Sequence, residues 1–170
     1  LACAIALARA GDALMAPHDA RPALGRTRVG LHRGSAVVGN FGGEGRIQYT
    51  ALGDSMNVAA RLEGANKTLK TAVLVSREAA EAMGLDKFRA MGRVRVRGRD
   101  AAIDVFEPHG VGHSRLDAVF DALYAAVMAG DSAALAALRQ HSAAAPDDRA
   151  LAFLVQRLEL VGPGGAYDLD

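Results

Sequence analysis

Asn57 and Arg61, four residues apart, offer the most pointed chemistry in this sequence of 170 residues. On a helix that spacing stacks them on one face, one turn apart. A carboxamide supplies a neutral donor and acceptor, and a guanidinium supplies a rigid fork of donors suited to charge developing on a phosphoryl group. The same spacing is common on the solvated face of an amphipathic helix, so the pair alone leaves both readings open. Arg93, Arg95 and Arg97 alternate with Val94 and Val96, which on a strand sends three guanidinium groups to one face. That face would attract phosphate or simply border water. Arg97 differs because Gly98 follows it, and a side chain at a turn can reach into a cleft. No aromatic residue interleaves with these arginines to stack bases, so nucleic acid is not an expected partner.

Other arrangements carry less. Gly39, Gly42, Gly43 and Gly45 lack the Gly-Lys-Ser/Thr ending of a phosphate loop and read as a glycine-rich hairpin. Of the five histidines only His109 and His113 share an i, i+4 spacing, and Gly110 and Gly112 beside them argue for a loop rather than a rigid metal face. Ser35 has no nucleophile-elbow context. No metal site is expected within the chain.

The elements that must position these residues follow from periodicity. Residues 1–15 read as a helix ended by Pro17, and residues 16–26 as a polar loop. Residues 27–31 and 35–41 read as two strands joined by a tight turn at Gly34, and 47–52 as a third strand. From Asp54 to about Ala65 the period becomes helical, with Asp54 or Ser55 as cap. A strand over 71–75, a helix over 76–83 capped by Ser76, and a hairpin of 88–97 with 102–106 complete an α/β alternation. After Pro108 three amphipathic helices follow, one over 116–127, one opened by Ser132 and one from Pro146 with Leu151, Leu154, Val155 and Leu158 on its apolar face. They resemble a single tetratricopeptide-type unit, which needs neighbours to bury its faces and so is expected to pack on something else. The closing Gly162, Pro163, Gly164 and Gly165 are expected to be loose.

Composition bounds the rest. The chain is 51% apolar and 23% charged with a net charge of +1, an ordinary globular balance that gives no bulk attraction to polyanions. Of its 20 basic residues 17 are Arg, a general bias that weakens each arginine as a functional signal. The single Cys3 forms no internal disulfide, which fits a reducing compartment. The apolar run of residues 1–8 lacks the basic flank of a secretory signal, and no run approaches the roughly 20 residues of a membrane span. Opening on Leu1 in mid-pattern, the sequence reads as a fragment.

The residues then converge on a resemblance. RVGLHRGSAVVGNFG at 28–42, followed by YTALGDSMNVAARLE at 49–63, closely resembles the second half of the class III adenylate and guanylate cyclase catalytic domain, of the bacterial adenylate cyclase type. The likeness runs from the opening helix through Glu107. The tail, with Pro146, Asp147, Asp148 and Arg157, also resembles the helical extension that follows the domain in some bacterial members.

The resemblance implies an α/β (α+β) ferredoxin-like nucleotide cyclase fold, N-terminally truncated, over residues 1–108, with an α-helical, tetratricopeptide-like tail over 109–170. It implies that ATP is converted to 3′,5′-cyclic AMP and pyrophosphate for signal transduction, at a site shared with a second cyclase domain, most simply in a homodimer. Asn57 would orient the ribose, Arg61 would stabilise charge on the α-phosphate, Thr50 would help read the base, and Arg97 would hold the terminal phosphates. Thr at position 50 is similar to bacterial adenylate cyclases. Mg²⁺ or Mn²⁺ would be held by two aspartates that, with a base-reading lysine, fall before Leu1; the chain alone is therefore expected to be inactive, with an exposed sheet edge. Arg33 departs from the Thr of many members. The catalytic domain is expected on the cytoplasmic side, with room for a membrane anchor upstream. A non-catalytic nucleotide-binding domain, or an interaction module in which the helical tail holds a protein partner, are the alternatives.

Overall fold

A computed structural model describes residues 1–15, 26–43, 45–96 and 101–169. The elements run α1 (Ala2–Leu14), β1 (Val29–Leu31), β2 (Val37–Gly43), β3 (Arg46–Leu52), α2 (Asp54–Leu69), β4 (Val73–Ser76) and α3 (Arg77–Met83). They continue with β5 (Phe88–Val96), β6 (Ile103–Pro108), α4 (Ala118–Met128), α5 (Ser132–Ala143), α6 (Arg149–Val161) and β7 (Ala166–Leu169). Five strands form one sheet in the order β1-β4-β6-β5-β7, and β2 and β3 form a separate hairpin. The fold is of the expected α/β class.

Helices cover both faces of the sheet, and β4 shows why. A strand buried on both sides reads as a continuous apolar run, and Val73, Leu74 and Val75 are all fully buried. Val73 and Val75 meet Ala4 and Ala8 of α1 and Ala79 and Ala80 of α3 on one face. Leu74 joins Val58, Leu62 and Leu69 of α2 on the other. That second cluster continues through Met91 and Val94 of β5 into Phe120, Leu138, Leu151, Leu154 and Leu158 of the tail. The tail thus packs on the α/β layer before it. Each tail helix is opened by an aspartate: Asp117 accepts from the Val119 and Phe120 amides, Asp131 from Ala133 and Ala134, and Asp148 from Leu151.

Several expectations are corrected. The expected β1–β2 hairpin does not form: β1 runs parallel to β4, and β2 pairs with β3 from Val37 opposite Leu52 to Gly43 opposite Arg46. Local turn signals pointed to the nearest strand, but the tightest approach is non-local. A Cβ at Gly30 would lie 2.1 Å from the Ala59 carbonyl oxygen, so β1 must sit directly beneath α2. Gly53, not Asp54 or Ser55, occupies the cap position of α2; the Ser55 hydroxyl donates instead to the Ser35 carbonyl at 2.5 Å. Ser76 holds the cap position of α3, but its hydroxyl bonds His32 Nδ1 at 2.8 Å. The helix expected to end near Ala65 continues to Leu69 and stops at Lys70, the one described non-glycine residue with positive φ. The glycine-rich stretch expected to be loose, residues 162–165, forms a turn, and a strand not expected from the sequence follows it. After the turn at Gly162 and Gly164, β7 pairs parallel to β5, and the buried Tyr167 hydroxyl donates to the Met91 carbonyl at 2.9 Å. The β5–β6 hairpin is antiparallel as expected, while its turn at Gly98, Arg99 and Asp100 lies outside the described residues, as do Glu44 and most of the 16–26 loop.

Candidate active site

β3 leads into α2 through Gly53, whose φ of +150° favours glycine and whose added Cβ would press on the Ser35 carbonyl oxygen at 3.1 Å. That turn ties Thr50 on β3 to the start of the helix carrying Asn57 and Arg61. Thr50 is half-buried and pairs across the hairpin with Gly39, where an added Cβ would meet only the Phe41 ring at 3.8 Å. Val58 and Leu62 anchor the inner face of α2. Asn57 is exposed and Arg61 half-buried on its flank, as the i, i+4 spacing requires. Among the described residues neither side chain makes a hydrogen bond or ion pair, which leaves a carboxamide and a guanidinium free to meet a ligand.

Arg97 lies outside the described residues. Its neighbours on β5 are engaged: Arg93 Nε lies 3.5 Å from Asp104 and Arg95 Nη1 3.0 Å from Asp168. They form a solvated, ion-paired face rather than a phosphate-binding strip. Arg33 is exposed in the link after β1, and nothing in the structure explains its departure from Thr. His109 sits in the turn after β6 with Nδ1 3.4 Å from the Ser114 hydroxyl, and burial holds its imidazole below the usual range.

The family model for the adenylate and guanylate cyclase catalytic domain matches residues 9–107. The chain belongs to that family. The chain is 46% identical to adenylate cyclase 1 of Rhizobium meliloti over 115 residues, which is 65% of this chain and 17% of that protein. It is 35% identical to the terminal-differentiation-specific adenylate cyclase of Dictyostelium discoideum over 48% of this chain and 4% of the relative. The adenylate cyclase of Anabaena cylindrica is 34% identical over 46% of this chain and 16% of its own length. The chain therefore spans less than a fifth of each of these relatives. Among solved structures, a bacterial light-regulated adenylyl cyclase aligns over 51% of this chain and 24% of its own, with 29% identity and a TM-score of 0.41. The adenylyl cyclase CyaB from P. aeruginosa aligns over 51% of this chain and 44% of its own, with 28% identity and a TM-score of 0.43.

A charged cluster that the periodicity of β5 concealed joins the cyclase domain to the tail. Arg89 is buried and donates through Nη2 to Glu107 at 2.6 Å and to Asp148 at 3.1 Å, with Nη1 on the second Asp148 oxygen. Counting from Arg93 and Arg95 in steps of two would place Arg89 on the outer face. The register of β5 on β6 shifts between Ala90 and Arg93, at Gly92 with φ of +84°, and turns Arg89 inward. Burial pushes the Glu107 carboxyl up to about 7, against the pull of Arg89. Burial acts on Asp148 too, but the Arg89 guanidinium and the Leu151 amide hold it below the ordinary carboxylate range. Beside this cluster, between sheet and tail, lies a cavity of about 400 Å³ lined by Arg89, Arg115, His141 and Leu151 among others; Asn57, Arg61 and Thr50 take no part in it.

Proposed function

We propose that this chain is part of an adenylate cyclase that converts ATP to 3′,5′-cyclic AMP and pyrophosphate in signal transduction. The ribose 3′-oxygen attacks the α-phosphorus and gives up its proton. The bond from the α-phosphorus to the bridging oxygen breaks, and pyrophosphate leaves with that oxygen. Asn57 orients the ribose, Arg61 stabilises the charge growing on the α-phosphate, Thr50 contacts the base and Arg97 meets the terminal phosphates. Phosphoryl transfer needs chiefly positioning and charge stabilisation, which a carboxamide and an unpaired guanidinium on one rigid helix supply. The observation that carries the reading is the family match over residues 9–107, joined to the free Asn57 and Arg61 side chains.

Two features support a site shared with a second cyclase domain, in a homodimer. The β2–β3 hairpin stands apart from the sheet and exposes Val37, Val38, Ile47, Tyr49 and Leu52. A lone hairpin is marginal in water, and an apolar patch of this kind marks a contact surface. Second, Asn57 faces outward rather than into a cavity of its own domain. Among the described residues no three His, Cys, Asp or Glu converge. It is the family resemblance that assigns the Mg²⁺ or Mn²⁺ ligands to two aspartates outside this chain, and no step is derived through the ion. No described helix is long and apolar enough to cross a membrane.

The test is complementation. The chain is mixed with a cyclase protomer that keeps its metal-binding aspartates but lacks its own Asn and Arg pair, and cyclic AMP formation from ATP is followed with Mn²⁺. Activity in the mixture alone is expected. A folded, paired mixture that remains silent would overturn the assignment of Asn57 and Arg61.

A further inference from the structure

Buried polar side chains are costly unless fully bonded, and Asn66 on α2, only 1% exposed, is fully bonded. Its Nδ2 donates to the Val29 carbonyl of β1 at 3.0 Å and to the Leu62 and Glu63 carbonyls at 3.0 and 3.2 Å. Its Oδ1 accepts from the buried Thr71 hydroxyl at 2.7 Å. Three carbonyls at one end of the amide and a hydroxyl at the other leave a single orientation for it. The backbone closes the arrangement, since the Thr71 amide donates to the Asn66 carbonyl at 3.1 Å where the helix ends.

We propose that Asn66 is a positioning residue that fixes the roll of α2 on β1, and through it the aim of Asn57 and Arg61. Apolar contacts of Val58, Leu62, Ala65 and Leu69 hold the helix onto the sheet but are non-directional. The close approach at Gly30 sets the spacing of helix and strand. Only the Asn66 amide ties the α2 side chains to a β1 carbonyl with a directional bond among the described residues. At about 100° per residue, Asn66 stands about 180° around the helix from Asn57 and about 140° from Arg61. The buried stripe lies between them. A roll about the helix axis that loosens one flank therefore swings the other. At about 6 Å from the axis, a 10° roll moves a side-chain end by about 1 Å. A misplacement of that size can cost up to about 10²-fold in rate.

The inference rests on the proposed cyclase reading, and its test separates the two. In the full-length cyclase, Asn66→Ala is expected to lower kcat tenfold to a hundredfold, with KM for ATP changed less than about twofold. Thr71→Val, which leaves the amide in place but unpinned, is expected to lower kcat less, and Thr71→Ser, which keeps the hydroxyl, to retain it. Val75→Ala, on the opposite face of the sheet, supplies a loss of stability without a change in roll, and its kcat per folded molecule at low temperature should match the parent. If Asn66→Ala and Thr71→Val match Val75→Ala, with lowered melting temperature and normal kcat per folded molecule, Asn66 is only structural and the inference fails. If Asn66→Ala does not fold, the Thr71 pair decides alone: equal kcat in the Val and Ser variants overturns it. Should Arg61→Ala turn over normally in the same assay, it is the cyclase reading of α2 that falls.

Discussion

Replacing Glu107 by Gln should make the folded chain more stable at alkaline pH and leave it nearly unchanged at acid pH. Around Glu107 one guanidinium, Arg89, faces two carboxylates, its own and that of Asp148, within hydrogen-bond distance and out of water. Arg26 adds a more distant positive charge. Asp148 is the better partner because it also accepts the Leu151 amide at 2.9 Å, so the surplus negative charge falls on Glu107. Its carboxyl rises from 4.5 to about 7. A raised acid binds its proton more tightly in the folded than in the unfolded chain. Its contribution is therefore fully present below pH 4.5 and lost as pH rises through about 7. At about 1.4 kcal/mol per pKa unit the loss is about 3 kcal/mol. Glutamine keeps an oxygen for Arg89 Nη2 and cannot ionise. Urea unfolding of parent and Glu107→Gln at pH 5, 6, 7 and 8 reads the effect as a gap that opens in favour of the variant by up to about 3 kcal/mol. A gap that stays constant from pH 5 to 8, or one that favours the parent at pH 8, would refute the reasoning. Asp148 does not confuse the result, because its carboxyl is held low and loses its stabilising charge only as pH falls into the acid range.

Arg61→Ala in the full-length protein should cost about 10²–10³ in cyclic AMP formation while leaving the melting temperature within a degree or two, since Arg61 has no partner among the described residues. Cutting the chain after Pro108 should yield an unfolded or aggregated product by circular dichroism and gel filtration. It strips cover from Val58, Leu62, Leu69, Met91 and Val94, and each such side chain left bare costs about 1.5–3 kcal/mol against a typical total of about 5–15. Tyr167→Phe should lower unfolding free energy by about 1–3 kcal/mol, because the Met91 carbonyl would lose its buried donor; no change in urea midpoint would show that β7 is not held there.

Legibility in the sequence followed distance along the chain. Most strands, and the helices of the tail, stood out because each declares itself in a window of ten residues. Which strand lies beside which did not: β1 chose β4, more than forty residues away, over the adjacent β2. Asn57 and Arg61 were visible as a pair, and only the surrounding motif raised them above an ordinary polar face. Arg89 was hidden by one bulge that reverses the inward and outward sense of β5. Asn66 and Thr71 carry no motif, since a buried amide and a solvated one look alike in one sequence. β7 is only four residues long and follows a glycine-rich turn, so its anchor, Tyr167, had no periodic company.

The tail's place in the core bears on what it can do for the cyclase domain. An interaction module of paired helices needs an apolar face for its partner. Here Phe120, Leu138, Leu151, Leu154, Val155 and Leu158 spend theirs on α2 and the sheet. The large apolar side chains left outside on the described tail are Leu116 and Val119 around the start of α4, Met128 at its end, and Leu160 and Val161 at the end of α6. Meanwhile α6 and β7 touch what the proposed chemistry uses. α6 shares its cluster with the inner face of α2, β7 pairs with the end of β5 that leads to Arg97, and Asp148 at the head of α6 holds Arg89 near its other end. A force that moved the tail would therefore reach Asn57 and Arg61 through Val58 and Leu62, and Arg97 through β5. These contacts favour a tail that braces the cyclase domain from behind over one that recruits a separate partner.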